Sequence, residues 1–232
     1  MPAQPSSVPP ADLLPVQRRA TVAYRVARVL LLPALHALFR LEVSGPDRIP
    51  GEGAFIVIAN HLNWLDSFAV LAAFKAEPRI HFLGDPTILQ QRRAQWFIVR
   101  SVGGYIPVDK HRHGDPRLYQ HVDRCLQRGG VVALYPEGNY GLKEGELLPF
   151  RPGFAHFAIN NAVPVVPVGL SGTKELWWRK RIGVRIGAPI HPGGLEVPAL
   201  VELGRARVSE LLELPQPPRG PQLFRRRLTS LF

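Results

Sequence analysis

AFIVIANHLNWLDSFAVLAAFK, residues 54–75, is the stretch on which the fold turns. Its first six residues are apolar without a break and rich in branched side chains, which predicts a strand over 54–59. Residues 67–75 carry helical patterning. Between strand and helix lie His61, just past the strand, and Asp66, where the helix is expected to begin. Strand, polar loop and helix make the repeating unit of an α/β fold, in which the loops at strand ends hold the chemistry.

Outward from this unit the alternation continues. Further strands are expected over 79–83, 105–108, 131–135, 163–170 and 183–186, and helices over 88–102, 116–128, 153–161 and 197–212. The fold class is therefore α/β, with a largely parallel central sheet flanked by helices. On the N-terminal side, 17–41 reads as an amphipathic helix in which Arg18, Arg19, Arg25 and Arg28 stand among Val22, Val26, Val29, Leu30, Leu35 and Leu38. Such a helix can lie on a membrane, its apolar side in the headgroup boundary and its arginines on lipid phosphates; the other reading packs it on its own domain. The most apolar stretch, 29–39, is broken by Pro33 and His36 and is half the ~20 residues needed to cross a bilayer. Residues 1–16, rich in Pro, Ser and Ala, read as a disordered lead without the basic start and apolar run of a signal peptide. The main domain spans 42–213, and 214–232 forms a Pro-rich, then basic and apolar tail whose Arg225, Arg226 and Arg227 sit beside Leu228, Leu231 and Phe232.

Composition narrows the partners. In 232 residues, 29 Lys and Arg against 18 Asp and Glu leave a net charge of +11, which attracts polyanions: nucleic acid, anionic lipid or an acidic carrier protein. Nothing resembles a helix-turn-helix, a zinc finger or an RNA-binding signature, so nucleic acid is not expected. Cys125 is the only cysteine, which excludes an intramolecular disulfide and a cysteine zinc site. Asp109, His111, His113 and Asp115 crowd one short loop with no convergent scaffold and read as solvated, so no metal is expected. Gly51-Glu52-Gly53 precedes a strand and is no dinucleotide fingerprint, and Ser171 lacks the flanking pattern of a nucleophile elbow.

His61 and Asp66 carry the sharper hypothesis. A carboxylate at a helix N-cap, held by backbone N–H groups, can accept from histidine Nδ1 and leave the other ring nitrogen as an acceptor. That is the arrangement of a general base able to take a proton from a hydroxyl, with the carboxylate orienting the ring and stabilising the cation it becomes. The spacing alone is common. Its context adds two strand-end segments, Gly104-Tyr105-Ile106-Pro107-Val108-Asp109-Lys110 and Tyr135-Pro136-Glu137-Gly138, then Phe150-Arg151-Pro152-Gly153 opening a helix and Val163-Pro164-Val165-Val166-Pro167-Val168, a buried strand bent by prolines.

In this order the segments resemble the four motifs of the glycerophospholipid acyltransferase family, whose best-known members are the 1-acylglycerol-3-phosphate acyltransferases. The resemblance covers about 45–187. It implies that His61 is the general base and Asp66 its partner, that Glu137 and Gly138 belong to the acceptor-binding turn, that Lys110 sits near the acceptor phosphate, and that Pro167 with Val166 and Val168 lines or supports the acyl site. Arg151 and Arg112 are further candidates for the acceptor phosphate. The implied reaction moves a fatty acyl group from acyl-CoA or acyl carrier protein to a lysophospholipid hydroxyl. Lysophosphatidic acid as acceptor would give phosphatidic acid, with no cofactor, no metal and no covalent intermediate, so Cys125 is not a nucleophile. The implied setting is the cytoplasmic face of an anionic membrane, met peripherally.

Two motifs depart from the family pattern, at three positions. Lys110 stands where relatives carry Arg, keeping the charge without the two-pronged grip. Asn139 and Tyr140 stand where they carry Thr and Arg. Acceptor identity therefore stays open between lysophosphatidic acid and glycerol 3-phosphate, a lyso-ornithine lipid or another amphipathic alcohol, and a non-catalytic lipid-binding member of the fold is the rival of a different class.

Overall fold

The computed structural model describes residues 18–85, 104–108, 115–213 and 221–231. In chain order these form α1 (Val22–Leu38), β1 (Phe39–Ser44), a 3₁₀ turn (Pro46–Arg48), β2 (Phe55–Ala59), α2 (Leu65–Ala73), β3 (Ile80–Gly84) and β4 (Tyr105–Pro107). There follow α3 (Pro116–Gln127), β5 (Val131–Leu134), α4 (Gly153–Asn161), β6 (Val165–Ser171), β7 (Lys180–Ile186), α5 (Val197–Leu211) and α6 (Arg225–Thr229). The described strands make one seven-stranded sheet in the order β1-β7-β6-β2-β5-β3-β4. From β6 to β4 all neighbours are parallel; β7 runs antiparallel to β6, and β1 runs parallel to β7. The sheet is thus largely parallel and flanked by helices, as the alternation of runs implies.

β2 lies at the centre, and all five of its residues are buried. Its pleat sends Phe55, Val57 and Ala59 into a core shared with α1 and α2, and Ile56 and Ile58 into a second core shared with α3, α4 and α5. Each fully buried side chain of this size contributes about 1.5–3 kcal/mol, and a slip of one residue would exchange the two sets, so the register is strongly specified. On the second face α5 approaches so closely at Gly204 that a Cβ there would stand 2.9 Å from Phe154 Cζ and 3.1 Å from Ile58 Cδ1. A side chain at this position would force the helix away from the sheet.

Three differences from the sequence reading are informative. The helix expected over 17–41 ends at Leu38, and Phe39–Ser44 is a strand, because Phe39 turns into the core while Arg40, paired with Arg181, turns out along the sheet's edge. That period-two pattern is hidden at the end of an apolar helical run. The second helix begins at Leu65, so Asp66 lies inside its first turn and Trp64 is the N-cap; the expected N-cap carboxylate is one of the helix's own residues. The tail is not wholly irregular either, since it contains α6, whose Leu228 packs on the first core. The helix expected over 88–102 and the lead 1–16 lie outside the described residues.

No helix among the described residues is long and apolar enough to cross a membrane. α1 starts at Thr21, whose Oγ1 accepts from Tyr24 N at 3.2 Å, a favourable N-cap. It buries Tyr24 and Leu35 against the domain, and Arg28 anchors it by donating to the carbonyls of Leu71 and Phe74. Its outer face shows Val22, Val26, Val29 and Leu30 to solvent, each more than half exposed. The helix therefore packs on its own domain and still presents an apolar stripe outward.

Candidate active site

Three parallel neighbours, β5, β2 and β6, end at one edge of the sheet, so the loops that follow them meet there. Such carboxyl ends are where α/β sheets place their ligands. Just past β2, Asn60 continues the ladder with its side chain: Nδ2 donates to Leu170 O at 2.9 Å and Oδ1 accepts from Leu170 N at 2.7 Å. The point from which His61 departs is thereby fixed to β6.

His61 Nδ1 stands 2.8 Å from Asp66 Oδ2. The same oxygen accepts from Leu62 N at 2.5 Å and Asn63 N at 2.8 Å, so the carboxylate is held by the turn that precedes its helix. Asp66 is wholly buried at the start of α2, where the helix dipole favours a negative charge. With Oδ2 purely an acceptor, Nδ1 carries the proton, and Nε2 is left as the basic nitrogen. Nε2 has no hydrogen bond to any described residue, and the His61 side chain is 20% exposed.

The ring is also clamped. Tyr135 stacks on it with centroids 3.8 Å apart and planes 5° from parallel, and Tyr140 lies on it at 4.3 Å and 49°. Ser67 Oγ and Tyr135 Oη share a hydrogen bond of 2.9 Å, and burial pushes the phenol well above its usual pKa, so it stays protonated. The two aromatic rings hold the plane of the imidazole. Neither tyrosine was assigned a role from sequence; an aromatic residue opening the Pro-Glu-Gly turn was the available signal for Tyr135, and Tyr140 was marked only as a departure from the family pattern.

Glu137 ties the backbone of His61 to its own turn. It is buried, with Oε1 accepting from His61 N at 2.9 Å and Oε2 from Leu148 N at 2.8 Å. Burial raises its carboxyl above the ordinary range, opposed by these two backbone bonds and by the nearby His61. Gly138 turns with φ +71, and the Arg151 guanidinium crosses it so closely that a Cβ there would lie 2.7 Å from Cζ. Arg151 is exposed and forms no ion pair within the described residues, so it offers a cation at the rim. The loop closes when Gly141 N donates to His61 O at 2.6 Å and Lys174 Nζ to Gly141 O at 2.6 Å.

Pro167 lies buried in β6 opposite Ile58, among the core residues of the sheet. Lys110, Asp109, His111, Arg112 and His113 lie outside the described residues, while Asp115 caps α3 by accepting from Arg117 N at 3.1 Å. Cys125 is buried beside His81, and burial pushes its thiol up to about 12, which leaves no thiolate for nucleophilic chemistry.

The geometry agrees with what the chain resembles. The family model described as Acyltransferase matches residues 40–171. Mouse 1-acyl-sn-glycerol-3-phosphate acyltransferase alpha is 27% identical over 206 residues, which span 81% of this chain and 69% of that protein. The sheep protein of the same name is 27% identical over 75% of this chain and 65% of its own length, so the chain spans about two thirds of these mammalian relatives. The 1-acyl-sn-glycerol-3-phosphate acyltransferase of Bacillus subtilis is 23% identical over 74% of this chain and 87% of its own. Among solved structures, the 1-acyl-sn-glycerophosphate (LPA) acyltransferase PlsC from Thermotoga maritima has the same fold, with a TM-score of 0.61, 20% identity, and coverage of 82% of this chain and 81% of that one. The matched region runs from β1 to the end of β6, holds every residue that braces His61 apart from Lys174, and fills more than half of the chain, which therefore belongs to the acyltransferase family.

Proposed function

We propose that this acyltransferase moves a fatty acyl group from a thioester, acyl-CoA or acyl carrier protein, to the free hydroxyl of a lysophospholipid at a membrane surface. Lysophosphatidic acid is the first-choice acceptor, giving phosphatidic acid. One observation carries the mechanism: Nδ1 of His61 is engaged by Asp66 at 2.8 Å while Nε2 has no partner among the described residues. Nε2 takes the proton of the acceptor hydroxyl as its oxygen attacks the thioester carbonyl. Asp66 stabilises the imidazolium, and the rings of Tyr135 and Tyr140 hold its plane. When the tetrahedral intermediate collapses, the C–S bond breaks and the imidazolium returns the proton to the departing thiolate, giving ester and free thiol. Every proton passes through His61, so the reaction asks for no cofactor and no covalent enzyme intermediate.

The apolar stripe of α1 and the net charge of +11 support a peripheral contact with an anionic membrane. Arg151, exposed beside Gly138, supports recognition of an acceptor phosphate. Tyr140 favours a second reading of the acceptor: it puts an aromatic ring on His61 where the family pattern has arginine, which suits another amphipathic alcohol. Purified protein incubated with both donor types and a panel of lyso-lipids, followed by mass spectrometry, decides between them. Ester formation with lysophosphatidic acid, lost in His61→Ala, is the expected result; no ester with any acceptor would overturn the proposal.

A further inference from the structure

Segment 221–231 touches the turn that carries His61. Trp64 Nε1 donates to Leu228 O at 3.0 Å, Asn63 Nδ2 donates to Thr229 O at 3.3 Å, and Asn63 Oδ1 accepts from Trp64 N at 2.7 Å. The segment is strapped down on its other side as well: Leu176 N donates to Thr229 Oγ1 at 2.9 Å, Trp178 N to Leu223 O at 3.0 Å, and Arg225 pairs with Glu175. Its outward side is different in kind. Leu223, Phe224 and Leu231 are 46%, 62% and 51% exposed, and Arg225, Arg226 and Arg227 are exposed between them. Phe224 has φ 61, a left-handed conformation that a bulky aromatic residue rarely adopts. Trp178, 48% exposed and bonded to Leu223, extends the apolar surface, and Arg179 beside it donates to Leu38 O and His36 O at the end of α1.

Apolar side chains rimmed by arginines are the chemistry of an anionic bilayer surface. We propose that segment 221–231 is a membrane-docking strap that positions the catalytic turn: an anionic bilayer holds Leu223, Phe224, Leu231 and the arginines, and the seated strap holds Trp64 and Asn63 through the carbonyls of Leu228 and Thr229. Membrane contact then does more than concentrate substrate, because it stiffens the loop between His61 and Asp66. This rests on the acyltransfer reading for its catalytic half, while docking itself is tested without turnover.

The full chain is sedimented with vesicles of phosphatidylcholine alone and with 30% phosphatidylglycerol, and turnover of a water-soluble short-chain lyso-acceptor is measured with each. Wild type binds the anionic vesicles, is released as salt rises, and turns over several-fold faster when they are added. Arg226→Gln with Arg227→Gln weakens that binding roughly 30-fold and abolishes the stimulation. Trp64→Phe, which keeps a ring but loses the donor to Leu228, binds the vesicles as wild type does yet loses the stimulation in kcat with KM unmoved. Thr229→Val, which frees the strap from Leu176 without touching the turn, behaves the same way. Equal binding to both vesicle types, or binding unaffected by the double substitution, would overturn the docking surface. Undiminished stimulation in both Trp64→Phe and Thr229→Val would overturn the coupling. A wild-type chain that transfers no acyl group from either donor would count against the function and the coupling, and sedimentation would still decide the docking surface.

Discussion

Replacing Asp66 by Asn changes one atom and isolates the carboxylate's charge. The amide oxygen can take the place of Oδ2 and still accept from His61 Nδ1, Leu62 N and Asn63 N. The opposite orientation would point an NH₂ at two N–H donors and is excluded. The new NH₂ then occupies the position of Oδ1, which has no partner among the described residues. An unsatisfied buried donor costs about 1–3 kcal/mol, offset in part because a charge is no longer desolvated, so the variant folds. Catalysis loses more. Two unit charges separated as Nδ1 and Oδ2 are attract by about 6 kcal/mol at an effective dielectric near 20. A neutral acceptor retains roughly half of a charge-assisted bond, which leaves about 3 kcal/mol lost from the imidazolium of the transition state. At about 1.4 kcal/mol per decade this lowers kcat by about 10²-fold, with KM for both substrates little changed because neither touches Asp66. Initial rates from free-thiol release at saturating donor measure it, alongside thermal unfolding to confirm the fold. A folded variant with kcat within threefold of wild type would refute the role given to the carboxylate.

Other perturbations probe the rest of the site. Glu137→Gln can accept at only one of its two atoms, leaving His61 N or Leu148 N unpaired in a buried place, so about 1–3 kcal/mol of stability and at least tenfold in kcat should be lost together in thermal unfolding and rate measurements. Tyr140→Ala removes a ring contact worth about 1 kcal/mol and should lower kcat roughly fivefold, whereas Tyr140→Phe should stay within twofold; equal losses in both would assign the effect to the hydroxyl. His81 is held down to about 4, from an ordinary value of 6.5, by burial first and Arg79 second. A depressed folded-state value means that its stability is fully present above pH 6.5 and is lost as pH falls toward 4. That amounts to about 3 kcal/mol, and urea unfolding at pH 7 and pH 4 should show His81→Gln losing less with acid than wild type.

The parts of this molecule that were legible in the sequence are those whose information is local. β2 is a continuous apolar run because both its faces are covered, and His61 and Asp66 fall four spacers apart in one loop, so strand and pair are visible in a dozen residues. β1 was not visible, because its alternation is only six residues long and its partner β7 lies some 140 positions away. Glu137 was placed in the right turn from the Pro-Glu-Gly signal, but its bond to the backbone of a residue 76 positions earlier leaves no pattern in either segment. The strap carbonyls of Leu228 and Thr229 are still less legible, since a backbone acceptor has no side-chain identity to read.

What those long-range contacts accomplish becomes clear when His61 is considered atom by atom. Its N–H is taken by Glu137, its C=O by Gly141, its Nδ1 by Asp66, and its two ring faces by Tyr135 and Tyr140. Two strand ends supply these contacts, that of β2 through Asp66 and that of β5 through the rest, and both are tied to β6 and the segment after it, as Asn60 is to Leu170 and Gly141 to Lys174. The one polar atom left to the outside is Nε2, the atom that the proposed reaction uses. A base aimed this way has little orientational freedom left to lose in the transition state, and a misplacement of about 1 Å can cost 10²-fold. The bracing residues should therefore show in kcat. A short His-to-Asp spacing can be identical in another protein and inert there, because the spacing supplies the pair and the distant loops supply its aim.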